Sequence, residues 1–286
     1  MKKILPPLVI GLLLASLGIA GWQYTSRPPL LVVTDASFSQ LYGPRRLRQR
    51  EASLSASFFR QVIPVFVDES AASEIIAFAV EDAFEEPWAV VFPSRYTEGA
   101  RRYREMKPET PVLVMGGTPR PDETGISFAR TDTAADLYLA GMAAALLTGE
   151  KRPLIFTDGY LADELRQAFS DGLREQGFPD EPVFWAASSN YSSYPDIGCI
   201  VVAGPAARFL EQNLDIPVIL FTWADPAMTP RTVKLVFDDS PWTMAADALK
   251  LMPGEIILLP SSPSLLRDRI EEKGLFRKLR GLVQKR

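Results

Sequence analysis

The hydrophobic residues of this chain fall into short unbroken runs, separated by longer stretches in which apolar positions recur every three or four residues. The runs are 30–34, 62–67, 88–92, 112–115, 126–129, 154–157, 183–186, 199–202, 218–222, 233–237 and 256–259. A strand with one wet face alternates apolar and polar residues. Continuous apolar runs of this length predict strands covered on both faces, as in a parallel sheet. Between them, residues 71–84 place Ile75, Ile76, Ala79 and Val80 at helical spacing. Residues 162–177 do the same with Leu165, Ala168, Phe169 and Leu173, and residues 242–252 with Met244, Ala245, Ala248 and Leu249. An Ala-rich helix is expected from Thr133 to Leu147, stopped by Gly149.

This alternation of strand and helix predicts an α/β protein with parallel sheets. Eleven strands over residues 30–263 divide more naturally into two sheets than one. The expected division puts residues 30–132 and 239–253 in a first lobe, and 133–238 and 254–263 in a second. Residues 233–238 then lead the chain back towards the first lobe, and 256–259 cross a third time. Residues 264–286 form a basic, amphipathic terminal helix carrying Arg267, Arg269, Lys273, Arg277, Lys278, Arg280, Lys285 and Arg286. It reads as a solvated helix or as a contact for acidic lipid headgroups. Residues 1–29 read as a targeting segment: Lys2 and Lys3 precede an apolar stretch from Ile4 to Trp22. Gly18-Ile19-Ala20 offers a cleavage site, while the stretch also has nearly the length that spans a bilayer. A cleaved signal peptide and a retained anchor both fit, and either exports the folded part. Possible membrane contact is therefore expected through this segment. No cysteine stands directly after the apolar stretch, so no lipidated cysteine is expected.

Composition narrows the chemistry. With 286 residues, 47% hydrophobic and 23% charged, the chain is ordinary globular material. A net charge of −4 gives no basic footprint for a nucleic-acid partner. Histidine is absent, which removes a Ser-His-Asp hydrolase, a histidine general base and a His-ligated zinc site. The single cysteine, Cys199, sits in an apolar run and reads as a buried strand residue. Neither G-x-x-x-x-G-K-[ST], G-x-G-x-x-G nor G-x-S-x-G occurs. Neither an enzyme nor a cofactor or metal is expected.

Carboxylates recur where strands end: Asp35, Asp68, Asp132, Asp158, Asp225 and Asp238. Open α/β sheets bind ligands at the carboxyl ends of their strands, and each of these residues also reads as a helix N-cap. After the first strand, Asp35 and Ser37 suit a helix start, and Phe38 offers a flat apolar face to a ligand or a core residue to the fold. Asp225 suits hydroxyl groups and Trp223 suits stacking. Lys234 reads either as a cleft ammonium or as a surface lysine, and Arg45, Arg46, Arg48 and Arg50 as a solvated helix face. The candidate ligand-binding set is Asp35, Phe38, Ser39, Asp132, Trp223, Asp225 and Lys234.

These residues resemble a family. The two-lobed, three-crossover arrangement resembles a type I periplasmic binding protein, and within that group the basic membrane protein family, which includes nucleoside-binding members. Asp35-x-Ser37-Phe38 followed by Gln40 is similar to that family's D-x-S-F-N-Q segment. Tyr138-Leu139-Ala140-Gly141 is similar to its Y-L-A-G helix. Trp223-Ala224-Asp225 falls where the family has G-V-D, and Thr232-Val233-Lys234 near its S-V-V-K. The resemblance implies two Rossmann-like lobes that close by a hinge on a small polar ligand, such as a nucleoside, for an inner-membrane ABC permease. It implies that Phe38 stacks on a base, Asp225 holds ribose hydroxyls and Lys234 helps close the site. Ser39 stands in place of the family's Asn, Trp223 in place of a Gly, and the usual lipidated Cys is absent. A second expectation is a membrane-anchored sensor or interaction protein whose binding site has changed or been lost.

Overall fold

The computed structural model of the chain describes residues 16, 18–19, 21–36, 44–157, 161–186, 196–203, 215–221, 231–238, 241–253 and 256–284. Its strands are β1 (Leu30–Thr34), β2 (Val62–Phe66), β3 (Ala89–Pro93), β4 (Val112–Met115), β5 (Ile126–Thr131), β6 (Arg152–Thr157), β7 (Val183–Ala186), β8 (Ile197–Val202), β9 (Val218–Phe221), β10 (Val233–Asp238), β11 (Ile256–Leu259) and β12 (Ser262–Leu265). The helices are α1 (Pro44–Phe58), α2 (Ser73–Ala83), α3 (Thr97–Met106), α4 (Thr133–Thr148), α5 (Asp163–Glu175), α6 (Pro241–Leu251) and α7 (Lys273–Gln284).

The strands form two six-stranded, mostly parallel sheets, ordered β11-β5-β4-β3-β1-β2 and β12-β10-β9-β8-β6-β7. The two orders are the same pattern used twice, a repeat of topology that the amino-acid sequence does not display. By contacts, residues 1–130 and 245–257 make one unit and 131–244 and 258–286 the other, so the chain passes between them three times.

The apolar runs of the central strands are explained by burial on both faces, whereas the edge strands β2 and β11 leave Phe66, Ile256 and Leu258 exposed. In β1 all five residues are buried, and the same holds for every residue of β4. Leu31 and Val33 join Val90, Phe92, Val112, Val114 and Phe128, with Ile76 and Val80 of α2 and Tyr103 of α3, in the core of the first unit. In the second, Ile155, Cys199, Val201, Ile219 and Leu235 pack with Leu137 and Ala140 of α4 and Phe169 of α5. Each fully buried Val, Leu, Ile or Phe among them contributes about 1.5–3 kcal/mol.

The Tyr138–Gly141 segment has a packing reason. A Cβ on Gly141 would lie 2.2 Å from the Phe169 carbonyl, and one on Gly172 would lie 2.0 Å from the Tyr138 carbonyl. The two glycines face each other where α4 and α5 cross, and let the backbones approach closely.

Three expectations change. Residues 233–238 are not a return segment: β10 lies inside the second sheet between β9 and β12, and its Leu235 and Phe237 belong to the second core. Residues 256–259, expected in the second lobe, hydrogen-bond onto the edge of the first sheet beside β5. The tail is not one solvated helix. Residues 262–265 form β12, antiparallel to β10, and α7 is shorter and docked, with Leu279 buried in the second core and Leu275, Leu282 and Val283 packed against it. No helix among the described residues is long and apolar enough to cross a membrane, and most of the apolar N-terminal stretch lies outside them.

Candidate functional site

In the first sheet β1 is followed by β2 on one side, and then by β3 on the other. The order in which strands are added therefore reverses between the parallel strands β1 and β3, and at such a switch point the loops leaving the carboxyl ends diverge and open a crevice. Asp35 follows β1 at that point. Ser94–Tyr96, a 3-10 turn, follows β3, and Glu69 follows β2.

The side chains there are connected. Asp35 is fully buried; the Tyr96 hydroxyl donates to its Oδ2 at 2.5 Å, and Arg95 Nη1 lies 3.0 Å from the same oxygen. Arg95 Nη2 reaches towards Glu69 Oε2 at 3.7 Å, and its guanidinium carbon sits 5.2 Å from the Tyr96 ring centre. Burial, together with the bond to Asp35, pushes the Tyr96 phenol well above its ordinary value, so it remains a proton donor. Asp68 accepts the backbone amide and hydroxyl of Ser70, which shapes the loop that carries Glu69. The Thr34 hydroxyl is buried at the same strand end and has no partner among the described residues.

Exposure divides the labour. Asp35 has no accessible surface, whereas 43% of the Arg95 side chain and 41% of Glu69 are accessible. Asp35 thus orients Arg95 and Tyr96 from below. Arg95 offers donors and Glu69 acceptors side by side on the accessible surface, an arrangement suited to adjacent hydroxyl groups. Two carboxylates against one guanidinium give the group no attraction for an anion.

The other expected site residues fare differently. Asp132 caps α4, its Oδ1 accepting the amide of Ala135 at 3.0 Å. Lys234 stands at the amino end of β10, and its ammonium donates to the carbonyls of Arg269 at 2.5 Å and Arg231 at 3.2 Å. It ties the C-terminal segment to the sheet. Phe38, Ser39, Trp223 and Asp225 lie outside the described residues, as does Asp158. A buried carboxylate not singled out from sequence, Asp136 in the first turn of α4, accepts the Ser261 amide at 3.1 Å and 3.2 Å. Arg95 and Glu69 were equally silent; only their place just after a strand could have marked them.

A cavity of about 290 Å³ opens at the opposite, amino end of the first sheet, lined by Trp88, Arg104, Glu109, Met252 and Pro253 among others. Strand direction turns the switch-point loops away from it, so it is the weaker candidate. Among the described residues no group of three or more Cys, Asp or Glu side chains is placed to hold a metal ion.

No protein-family model matches the chain, and no curated protein sequence matches it. Solved structures do. A transcriptional activator of the comK gene from Bacillus halodurans superposes with a TM-score of 0.60 at 12% identity, covering 90% of this chain and 96% of that one. A periplasmic ribose ABC transporter protein from Conexibacter woesei gives 0.55 at 14%, covering 89% and 98%. AraP, an arabinose-binding protein from Geobacillus stearothermophilus, gives 0.56 at 11%, covering 85% and 98%. At such identities the likeness speaks for the fold, and with the two sheets described above it shows that the chain has the type I periplasmic binding protein fold.

Proposed function

We propose that this chain is an exported solute-binding protein that captures a small, neutral, hydroxyl-rich ligand at the carboxyl ends of its parallel strands and delivers it to an inner-membrane ABC permease. The observation that carries the reading is the Asp35–Tyr96–Arg95–Glu69 group at the β1/β3 switch point. A buried carboxylate fixes a guanidinium, and the guanidinium and a second carboxylate remain accessible. Vicinal hydroxyls both donate and accept, so a sugar or the ribose of a nucleoside satisfies both groups at once. The fold likeness to ribose- and arabinose-binding proteins favours a sugar. The segments similar to the basic membrane protein family favour a nucleoside, with Phe38 stacking on the base and Asp225 and Trp223 completing the site. In either case no covalent step is involved.

A thermal-shift screen of monosaccharides and nucleosides tests this. A ligand present at about 100 times its Kd raises stability by about 2.7 kcal/mol, a readily measured shift. Arg95→Ala removes the shift for that ligand. A ligand that stabilises wild type and the Arg95→Ala variant equally contradicts the assigned site.

One observation favours a second reading. A structure with 0.60 TM-score and nearly full coverage is described as a transcriptional activator. A membrane-anchored sensor or interaction protein using this fold predicts a native chain that begins at Met1 and a screen without hits, whereas a mature start near Gly21 favours the free binding protein. Mass spectrometry of the native N-terminus distinguishes the two.

A further inference from the structure

The last helix of this acidic chain carries cations without a carboxylate among them, three on one face. The twelve residues of α7 include Lys273, Arg277, Lys278 and Arg280 and no carboxylate, in a chain whose net charge is −4. At 100° per residue, Lys273, Arg277 and Arg280 fall on a single stripe with Gln284, while Lys278 lies well round the helix, beside Leu282 at the border of the apolar stripe. All four cations are exposed, and among the described residues none forms an ion pair. The opposite stripe is already occupied. Leu275, Leu279, Leu282 and Val283 pack into the second core, β12 joins the chain ahead of the helix to β10, and Lys234 holds the Arg269 carbonyl. The helix is therefore fixed in place, with its apolar face turned inward and its cationic stripe outward.

We propose that this stripe is a docking surface for an anionic phospholipid bilayer, contacted at headgroup level without insertion. Three features argue for a lipid surface. The outward stripe of α7 offers Lys273, Arg277, Arg280, Gln284 and a glycine, with one half-buried aromatic, Phe276, at its edge beneath Arg267, whereas a protein partner is recognised through an apolar, often aromatic, centre. The apolar side cannot insert, because it is used by the core. The apolar N-terminal segment read from the sequence also delivers the folded part to a membrane face. The inference does not depend on which solute the protein binds.

The contact is electrostatic, so it scales with cation number and weakens as salt rises. Each cation near an anionic bilayer strengthens binding about fivefold, so neutralising the three on the stripe already costs on the order of 100-fold. The experiment is flotation of the full chain with phosphatidylcholine vesicles, with and without phosphatidylglycerol. The N-terminal segment is common to every sample, so the preference for anionic vesicles is compared between variants. Wild type is expected to prefer the phosphatidylglycerol vesicles at low salt and to lose the preference at high salt. The variant Lys273→Gln/Arg277→Gln/Lys278→Gln/Arg280→Gln, with an unchanged melting temperature, is expected to lose it at low salt. Arg277→Lys/Arg280→Lys keeps the charge and keeps the preference. Wild type without any preference for anionic vesicles overturns the proposal whatever the variants do, and so does a folded quadruple variant that retains the preference.

Discussion

Arg95 and Asp35 have opposite mutational consequences although they share one contact. Asp35 is buried with two donors aimed at it, so Asp35→Ala strands the Tyr96 hydroxyl and removes the partner of a cation. That change costs roughly 2–4 kcal/mol of stability by denaturant unfolding, besides its effect on binding. Arg95 is nearly half accessible, so Arg95→Ala leaves the fold within about 1 kcal/mol of wild type and shows itself in affinity. A second residue-scale prediction concerns pH. Arg101 grips Glu123 through Nε at 2.5 Å and Nη2 at 2.8 Å, and the Arg120 amide donates to the same carboxylate. The Arg101 hydrogen bonds hold the Glu123 carboxyl below its ordinary value. A depressed folded-state pKa gives stability that is complete above the unfolded glutamate value of about 4.3 and is lost as pH falls through the folded value. Only 7% of the Glu123 side chain is accessible. Glu123→Gln is therefore expected to cost about 1–2 kcal/mol at neutral pH and to flatten the acid limb of the stability profile, measured by urea midpoints from neutral pH down to acid. An unchanged acid limb contradicts that assignment.

At the scale of elements, Gly141 poses a contest of signs. Alanine in a helix interior is favoured over glycine by about 1 kcal/mol. Here the added methyl meets a backbone carbonyl at 2.2 Å, which cannot rotate away as a side chain could. Gly141→Ala should therefore destabilise by about 1–3 kcal/mol net, read from the shift in denaturant midpoint. A gain in stability would show that α4 and α5 separate at little cost. Leu279 tests the docking of α7. It is 1% exposed, so Leu279→Ala should cost about 2–5 kcal/mol, against near zero for a solvated tail. These elements also show why the amino-acid pattern was readable in places only. Central strands such as β1 and β4 are apolar throughout because helices cover both faces. β12, with the residues Ser262, Pro263, Ser264 and Leu265, is an antiparallel edge strand, and no apolar run marks it. Helix α3 spends most of its surface on Arg and Glu and buries only Gly99, Ala100 and Tyr103, too few apolar positions to raise a periodic signal. Asp35 was legible because a carboxylate directly follows an apolar run. Arg95, Tyr96 and Glu69 were not, because their meaning comes from the order β3-β1-β2, which no local spacing reveals. Lys234 misled for a related reason: position in the chain said that it lies in a crossover, while the sheet places it at a strand's amino end, bound to carbonyls.

For the whole molecule, the same strand order appears twice, and in each sheet the switch point falls between the first strand and the third. In the first unit that point carries a polar group built on a buried carboxylate. Solute capture by this protein depends on this group touching the solute. The most direct measurement is a crystal structure of the protein with the ligand that the thermal-shift screen selects. Hydroxyl groups of that ligand are expected within hydrogen-bond distance of the Arg95 guanidinium and the Glu69 carboxylate, above a buried Asp35. A ligand seated instead beside Trp88 and Arg104, at the amino end of the sheet, would contradict that placement.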